Sequence, residues 1–443
     1  MTKSTTAATP DDPHDIKQPD RPRLVDILGP GLITGASDDD PSGIATYSQA
    51  GAQFGFDLGW TLLFSWPLMC AIQEISARIG RVTGRGLAGN LKQHYPAIFV
   101  YSLVALLVVA NTINLGADLG AMGAALKLVL GNGDPAKGGP ALIYVAAFGV
   151  IFVVLEIFVR YSRYVSVLKW LTLSLFAYVA VALIVHTPWA TVGYHLVIPN
   201  ISLKAGYLTV VVAILGTTIS PYLFFWQAEE EVEEVKERPD AKPLERAPEQ
   251  AKSEFGRIRV DTYLGMAFSN IVALFIMITT AATLHAHNIT DIETSSQAAT
   301  ALRPIAGQFA FLVFALGIIG CGLLALPVLA GSAAYALGEA FGWHVGLSRK
   351  FKRAKAFYAA IVAAGLIGGI LNFVHLDPIK ALFWSAVING VAAVPIMAMI
   401  MHLASHKAAM GDFKIHWGLK TVGWVATAVM AVAAVGMFAT MGS

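Results

Sequence analysis

Ala36-Ser37-Asp38-Asp39-Asp40-Pro41-Ser42-Gly43 sits in the middle of a stretch, residues 24–55, that is otherwise apolar enough to cross a bilayer. A second stretch, residues 204–238, is interrupted in the same manner by Thr217-Thr218-Ile219-Ser220-Pro221. Each reads as two half-helices joined by irregular backbone. Inside hydrocarbon every backbone N–H and C=O must be satisfied, so unwound backbone survives only where it is buried in protein or lines a wet cavity. Two breaks at mid-membrane depth therefore imply a cavity between them.

The composition around them fits that reading. The chain has 443 residues, 56% hydrophobic and 14% charged, with mean hydropathy +0.62, too apolar for a water-soluble domain. A spanning helix needs about 20 mostly apolar residues. Eleven stretches qualify, at 24–55, 57–80, 97–130, 140–159, 164–186, 204–238, 259–286, 304–340, 356–374, 378–404 and 417–441. The breaks fall in the first and the sixth, the arrangement expected of two five-helix repeats that each begin with a broken helix. The repeats would be residues 24–186 and 204–404, with helix 11 outside them. The expected fold class is thus an all-α polytopic membrane protein, an inverted repeat of two five-helix units plus an eleventh helix.

Basic residues set the orientation, because short loops rich in Lys and Arg stay on the cytoplasmic side. An amino terminus inside places 26 of the 31 Lys and Arg there and leaves Lys127, Lys137, Lys204, Arg303 and Lys380 outside. An odd number of spans then puts the carboxyl terminus on the far side. Residues 1–23, rich in Thr, Asp, Pro and Lys, cannot bury enough surface to fold and read as a disordered cytoplasmic tail. No short apolar segment with a small-residue cleavage site precedes the first span, so that span itself directs insertion. Cys70 and Cys321 lie in apolar spans and behave as small hydrophobes.

Residues 229–254 alternate acidic and basic side chains around Pro239, Pro243 and Pro248, which marks a charged cytoplasmic loop near 236–258. Its start, Glu229, Glu230, Glu231, Glu233 and Glu234, continues the sixth helix. It reads as an exposed face paired with Lys236 and Arg238, or as an acidic mouth that concentrates cations.

Ionisable groups at membrane depth cost about 2.5–3.5 kcal/mol on insertion scales and by default mark an ion or substrate path. Asp38, Asp39 and Asp40 are three of them, more than a helix cap requires. The acceptors at the breaks are all hard oxygen: the carboxylates, the hydroxyls of Ser42, Thr217, Thr218 and Ser220, and freed carbonyls. No His, Cys or Met lies in either break. Such a set suits Mg2+, Ca2+ or Mn2+ rather than zinc or copper. Adjacent residues in irregular backbone point in different directions, so one or two of the three carboxylates are expected to line the site.

These residues resemble the Nramp divalent-metal transporters, which share the inverted-repeat fold of the LeuT type. Gly31-Leu32-Ile33 followed by Asp40-Pro41-Ser42-Gly43 is similar to the family's Asp-Pro-Gly-Asn motif. Gln73, Arg78, Gly80, Val82-Thr83-Gly84 and Leu87-Ala88 follow its second span, and Asp118-Leu119 an Asp-Leu pair of its third. Thr217-Thr218-Ile219-Ser220-Pro221-Tyr222 falls on its Ala-x-x-Met-Pro-His motif.

The departures fall on ligands. Asp40 is kept, the family's Asn ligand is Gly43, its thioether is Ser220, and its carbonyl-donating Ala is Thr217. Two sixth-helix His residues linked to proton movement are Tyr222 and Gln227, and a third-helix Glu is Ala121. The pattern resembles the Nramp-related magnesium transporters, a branch whose wider site holds an ion with much of its water. Physical chemistry points the same way, since Mg2+ keeps its water and is held by one or two carboxylates. The loss of a soft ligand also disfavours selection of Mn2+ or Fe2+ over Mg2+ and Ca2+.

The expected metal site is therefore Asp40, Gly43, Thr217 and Ser220, with Asp38, Asp39, Ser42, Asp118, Tyr222, Gln227 and Asn389 as additional cavity residues. Asp118 is either a packed acid hydrogen-bonded to a neighbour or part of a cation or proton route. Asn111 and Asn114 either wet that route or bond between helices. His285 and His287 read as solvated, Glu74 and Arg78 as a structural pair on one helix face, and Gly322 and Pro327 as a loosened or kinked eighth span. No His-Glu-x-x-His, Gly-x-Ser-x-Gly or phosphate-binding loop is present, so enzyme chemistry is not expected.

The leading reading is a Mg2+ transporter, also passing Mn2+, uncoupled from protons and without a prosthetic group. The alternative is a proton-coupled importer of Mn2+ or another transition metal. A carrier of organic solutes fits poorly, because three carboxylates repel an amino acid's own. The expected setting is the plasma (inner) membrane of a prokaryote. The partners are the cation and lipid, with no nucleic acid, and the chain is expected to be monomeric.

Overall fold

The computed structural model describes residues 34–35, 37–134, 136–159, 171–238, 240–347, 349, 351–374 and 377–441. The expected tail, the first part of the first span with Gly31-Leu32-Ile33, and the connection from Arg160 to Lys169 lie outside the described residues.

Twelve helices carry the architecture: α1 (Pro41–Phe54), α2 (Gly59–Thr83), α3 (Ala97–Leu130), α4 (Ala141–Phe158), α5 (Phe176–Ile184), α6 (Ala205–Thr218), α7 (Pro221–Glu237), α8 (Ala251–Thr283), α9 (Ala310–Phe341), α10 (Lys355–Leu371), α11 (Pro378–Ser405) and α12 (Trp417–Met441). No strand occurs among the described residues. The ends follow local chemistry. α2 stops at Gly84, whose φ of 66° is left-handed and whose N–H bonds Gly80 O. α11 starts on Asp377, whose side chain accepts from Ile379 N and Lys380 N.

Both interrupted stretches restart on proline. α1 has Pro41 in its first turn behind Asp40, and α7 has Pro221 in its first turn behind Ser220. Proline lacks an N–H and clashes with the preceding turn, so a helix cannot run through it unperturbed, yet it suits the first helical position. The sixth stretch therefore divides into α6 and α7 with only Ile219 and Ser220 between them. By contrast α9 continues through Pro327, and Gly322 lies where α9 approaches Met122 of α3 and Pro41.

Among the described residues seven helical spans, α6 and α7 counted as one, are long and apolar enough to cross a membrane, and an eighth is the bent pair Leu173–Ile184 and Trp189–Val197, turned by 115° between them. Trp189–Val197 was not expected from the sequence. Of the other three expected spans, the first is only half described, α10 has 17 residues, and α2 carries Gln73, Glu74, Arg78 and Arg81, all buried. α3 packs along α9, α10 and α11, α6 against α11, α7 against α2, and α8 against α1 and α2. Large apolar side chains such as Ile98, Val150, Leu183, Ile370 and Val432 face outward, as expected of a surface whose solvent is lipid.

One expectation is overturned at the carboxyl end of α7. Glu229, Glu231 and Glu233 are buried rather than on an exposed face. Lys236 and Arg238 do pair with Glu233 and Glu234, each at 2.9 Å. The start of α8, however, folds back over the run. Arg257 reaches Glu231 at 2.5 Å, Glu254 at 3.0 Å and Glu234 at 3.1 Å, and Arg81 of α2 meets Glu254 at 3.2 Å. The intervening loop is pinned by Leu244 N and Glu245 N, which bond Arg81 O and Val82 O. Arginine thus consumes much of the charge that an attracting mouth would need. Glu74 and Arg78 pair within α2 at 2.5 Å, with the guanidinium 4.4 Å from the Phe255 ring centre.

Removing one partner of a buried ion pair leaves a charge uncompensated at a cost of about 3–5 kcal/mol. Arg257→Leu should therefore lower the thermal unfolding midpoint of the detergent-purified protein clearly, whereas Lys137→Leu, at an exposed pair with Asp134, should leave it unchanged.

Candidate functional site

The site is built from the restart of the first span, the break of the sixth, and polar faces of α3, α8 and α11. The two breaks touch. A Cβ added to Gly43 would stand 3.1 Å from Thr217 Oγ1, 3.3 Å from Tyr47 Cε2 and 3.6 Å from Asp40 Oδ1. A side chain here would be tight against Thr217, so glycine eases the approach of α1 to the end of α6. α6 is fixed in turn against α11, where Gly216 and Gly390 abut so that a Cβ on Gly216 would run into Ala386 O.

Asp40 is the centre of the hydrogen bonding, and it is almost completely buried, with 1% of its surface exposed. Its Oδ1 accepts from Ser42 Oγ at 2.6 Å and from Gly43 N at 2.7 Å, the second being the cap of α1. Its Oδ2 accepts from Asn114 Nδ2 of α3 at 3.1 Å and from the Tyr222 hydroxyl of α7 at 3.2 Å. Tyr222 also lies 3.5 Å from Ser37 O, a carbonyl next to the first break. One carboxylate therefore joins α1, α3 and α7.

The orientation of Asn114 is itself determined. Ser385 Oγ of α11 lies 2.7 Å from both Asn114 Oδ1 and Leu382 O, and has one proton for the two. A carboxylate on the other side of Asn114 requires its Nδ2 to face Asp40, so Oδ1 faces Ser385 and takes that proton.

Asp38 and Asp39 point elsewhere. Ser269 Oγ of α8 lies 2.5 Å from Asp38 Oδ2 and 3.1 Å from Asp39 Oδ1, and Asp38 Oδ1 has no hydrogen-bond partner among the described residues. A single hydroxyl proton serves two adjacent carboxylates. Ser220, expected to face the ion, turns back on its own helix, with its hydroxyl 2.8 Å from both Gly216 O and Thr217 O. Thr217 is placed by Gly43, and its carbonyl is taken by Ser220 in this arrangement.

Asp118, Gln227 and Asn389 are fully buried, and their side-chain oxygens and nitrogens have no hydrogen-bond partner among the described residues. Asp118 follows Asn114 by four residues on α3, and Asn389 follows Ser385 by four on α11, so each continues the face that reaches Asp40, about 6 Å along the axis. Gln227 lies five residues beyond Tyr222 on α7, about 7 Å along it. Asp118 thus lacks the neighbouring hydrogen bond that one reading of the sequence gave it. Asn111 faces away, donating to Leu329 O and Ser332 Oγ of α9, each at 2.9 Å.

No three His, Cys, Asp or Glu side chains converge on one point among the described residues. Any cation here would be held by one carboxylate, hydroxyls, carbonyls and water, a set that suits hard ions. The structure brings Asp40, Ser42, Gly43, Thr217 and Tyr222 together, and the sequence reading gave no part to Ser269, which bonds Asp38 and Asp39, or to Ser385, which bonds Asn114. The spacing of Asn114 from Asp118 and of Ser385 from Asn389, four residues each in apolar helices, was the available signal.

The arrangement has known counterparts. The family model described as natural resistance-associated macrophage protein-like, Nramp, matches residues 31–440. The divalent metal cation transporter MntH of Klebsiella pneumoniae (strain 342) is 26% identical over 410 residues, 91% of each chain. The crystal structure of the Eremococcus coleocola manganese transporter aligns with a TM-score of 0.68 at 17% identity, over 97% of this chain and 88% of that one. Mhp1, a nucleobase-cation-symport-1 family transporter in a closed conformation with bromovinylhydantoin bound, aligns at 0.57 and 13% identity, over 94% and 92%. The fold is thus an all-α polytopic membrane fold of the LeuT type. With the family match extending from residue 31 to residue 440, the chain belongs to the Nramp family.

Proposed function

We propose that this protein is a secondary transporter of Mg2+ that also passes Mn2+, binding a largely hydrated ion between the two breaks and working without proton coupling. The observation that carries the reading is the buried Asp40 carboxylate, supported only by hydroxyl, amide and backbone N–H groups at the point where α1 meets α6. The relatives' names describe divalent metal and manganese transporters, which supplies the class of cargo. The finer choice rests on the residues. Ser220 and Gly43 provide no thioether and no amide, and Mg2+ surrenders water reluctantly.

In this reading Asp40 supplies the charge, Thr217 its carbonyl once Ser220 releases it, and Gly43 the close approach of α1 to the end of α6. Ser42 holds Asp40 in place, Asp38 and Asp39 add charge beside it on Ser269, and Asp118, Gln227 and Asn389 supply further buried polar groups along the path. Residues 24–186 and 204–404 act as the two repeats, with the amino terminus cytoplasmic and a single chain as the working unit. No enzyme chemistry is assigned. The second reading, proton-coupled Mn2+ import, is favoured by one observation: the buried Asp118 carboxylate, one turn from Asn114 and without a hydrogen-bond partner among the described residues, is a group that can carry a proton.

Three experiments test this. Asp40→Ala should lower Mg2+ uptake into proteoliposomes by at least about 100-fold while the protein still elutes as a folded species. Retained uptake removes Asp40 from the path. Ser220→Met supplies a thioether and fills volume, so it should shift binding from Mg2+ toward Mn2+ by about tenfold, near 1.4 kcal/mol. Isothermal titration with both ions reads this directly, and equal ratios would mean that residue 220 does not face the cargo.

Uncoupled transport has an energetic basis as well. A divalent ion gains about 4.6 kcal/mol from a 100 mV inside-negative potential, enough for accumulation without a proton. Vesicles holding a pH-sensitive dye, clamped with valinomycin and potassium and given an inward Mg2+ gradient, should show no protein-dependent acidification. Acidification that tracks ion entry would establish the proton-coupled reading instead.

A further inference from the structure

Each oxygen of a carboxylate offers about two lone-pair positions, four in all. At Asp40 all four are used: Ser42 and Gly43 on Oδ1, Asn114 and Tyr222 on Oδ2. A bare cation can reach this carboxylate only by displacing one of them. The two bonds on Oδ1 are local to the first turn of α1, and the one from Gly43 N is its cap. Asn114 is held by Ser385 at 2.7 Å, and turning its amide would aim an oxygen at the carboxylate. Tyr222 is the donor with an alternative, because Ser37 O lies 3.5 Å from the same hydroxyl.

A tyrosine hydroxyl both donates and accepts. While its proton is on Asp40, its oxygen lone pairs remain open to a donor, and water in the shell of a metal ion is a strong donor. We propose that Tyr222 sets cargo selectivity by acting as the outer ligand of Asp40. A hydrated ion is bound through the Tyr222 oxygen with every bond to Asp40 kept. An ion that sheds water to bind the carboxylate directly must first push the hydroxyl to Ser37 O. The residue therefore favours ions that keep their water, Mg2+ above all, and penalises those that bind carboxylate directly, Mn2+ and Ca2+. The inference rests on the transport reading above and assigns the origin of its selectivity to one hydroxyl group.

Tyr222 is fully buried, and Phe keeps its ring. In Tyr222→Phe one position on Oδ2 becomes free and the water-reading oxygen is lost. Titration of the purified full-length protein with Mg2+, Mn2+ and Ca2+ should show Mg2+ binding weakened and Mn2+ and Ca2+ binding strengthened. The ratio should change by about tenfold, the scale of one hydrogen bond to a charged group. Ser385→Ala, which frees Asn114 to leave Oδ2, should move the Mn2+ to Mg2+ ratio in the same direction by a smaller factor, and it serves where the Phe variant does not fold. Unchanged ratios among the three ions in a folded variant overturn the proposal. Failure of the transport reading would look different, as Mg2+ binding in the unmodified protein that survives Asp40→Ala.

Discussion

The structure depends on the rule that a backbone group in hydrocarbon must have a partner. Two prolines break helices where lipid supplies none, so the protein must answer each break from within. At the first break the answer is Asp40, whose carboxylate takes the Gly43 N–H that α1 cannot bond and then reaches α3 and α7. At the second it is Ser220, whose hydroxyl caps two carbonyls at the end of α6. The rest of the site is arranged around those two answers. α3 and α11 present polar faces in otherwise apolar helices, and glycine lets α1, α6 and α11 come close enough to meet. Close contact substitutes for the hydrophobic drive that lipid removes.

Much of this was legible in the sequence because it followed from chain-local chemistry. The long apolar stretches, the two Pro-marked breaks and the acid before Pro41 need no knowledge of neighbours. Gly43 was singled out through the family resemblance, as the counterpart of an Asn ligand. What escaped was set by contacts between distant segments. Ser220 is a plausible ligand by type, yet its hydroxyl is closest to its own carbonyls. The run from Glu229 to Glu234 has the composition of a solvated face, but α8 brings Arg257 back over it from 26 residues beyond Glu231. Asn114 and Ser385 are ordinary polar residues until α3 and α11 cross. Asp38, Asp39 and Asp40 are alike in type, and only Ser269 of α8 separates the first two from the third.

The dipoles of the half-helices set which parts of the two breaks favour a cation. The starts of α1 and α7 bring positive helix ends to the breaks, while the end of α6 brings a negative one. A cation is repelled by the first kind and attracted by the second. Asp40 lies at the start of α1 and offsets its positive end, whereas α7 begins at Ser220 with no side-chain cap. The end of α6 and the charge of Asp40 are therefore the parts of the breaks that favour a cation. Broken-helix transporters use their ends in this way, with amino ends turned to anions and unwound carbonyls to cations.

That geometry also limits how tightly an ion can be held. Every bond that Asp40 makes to protein lowers the cost of burying its charge and reduces what it has left for cargo. A carboxylate with four donors is stable without an ion, as a carrier requires in the part of its cycle when it returns empty. The same four donors prevent the deep, fully dehydrated coordination that would trap a divalent ion. On the proposed reading, weak binding through water would follow from the same interactions that let the empty site fold, so the breaks and their caps answer a single constraint.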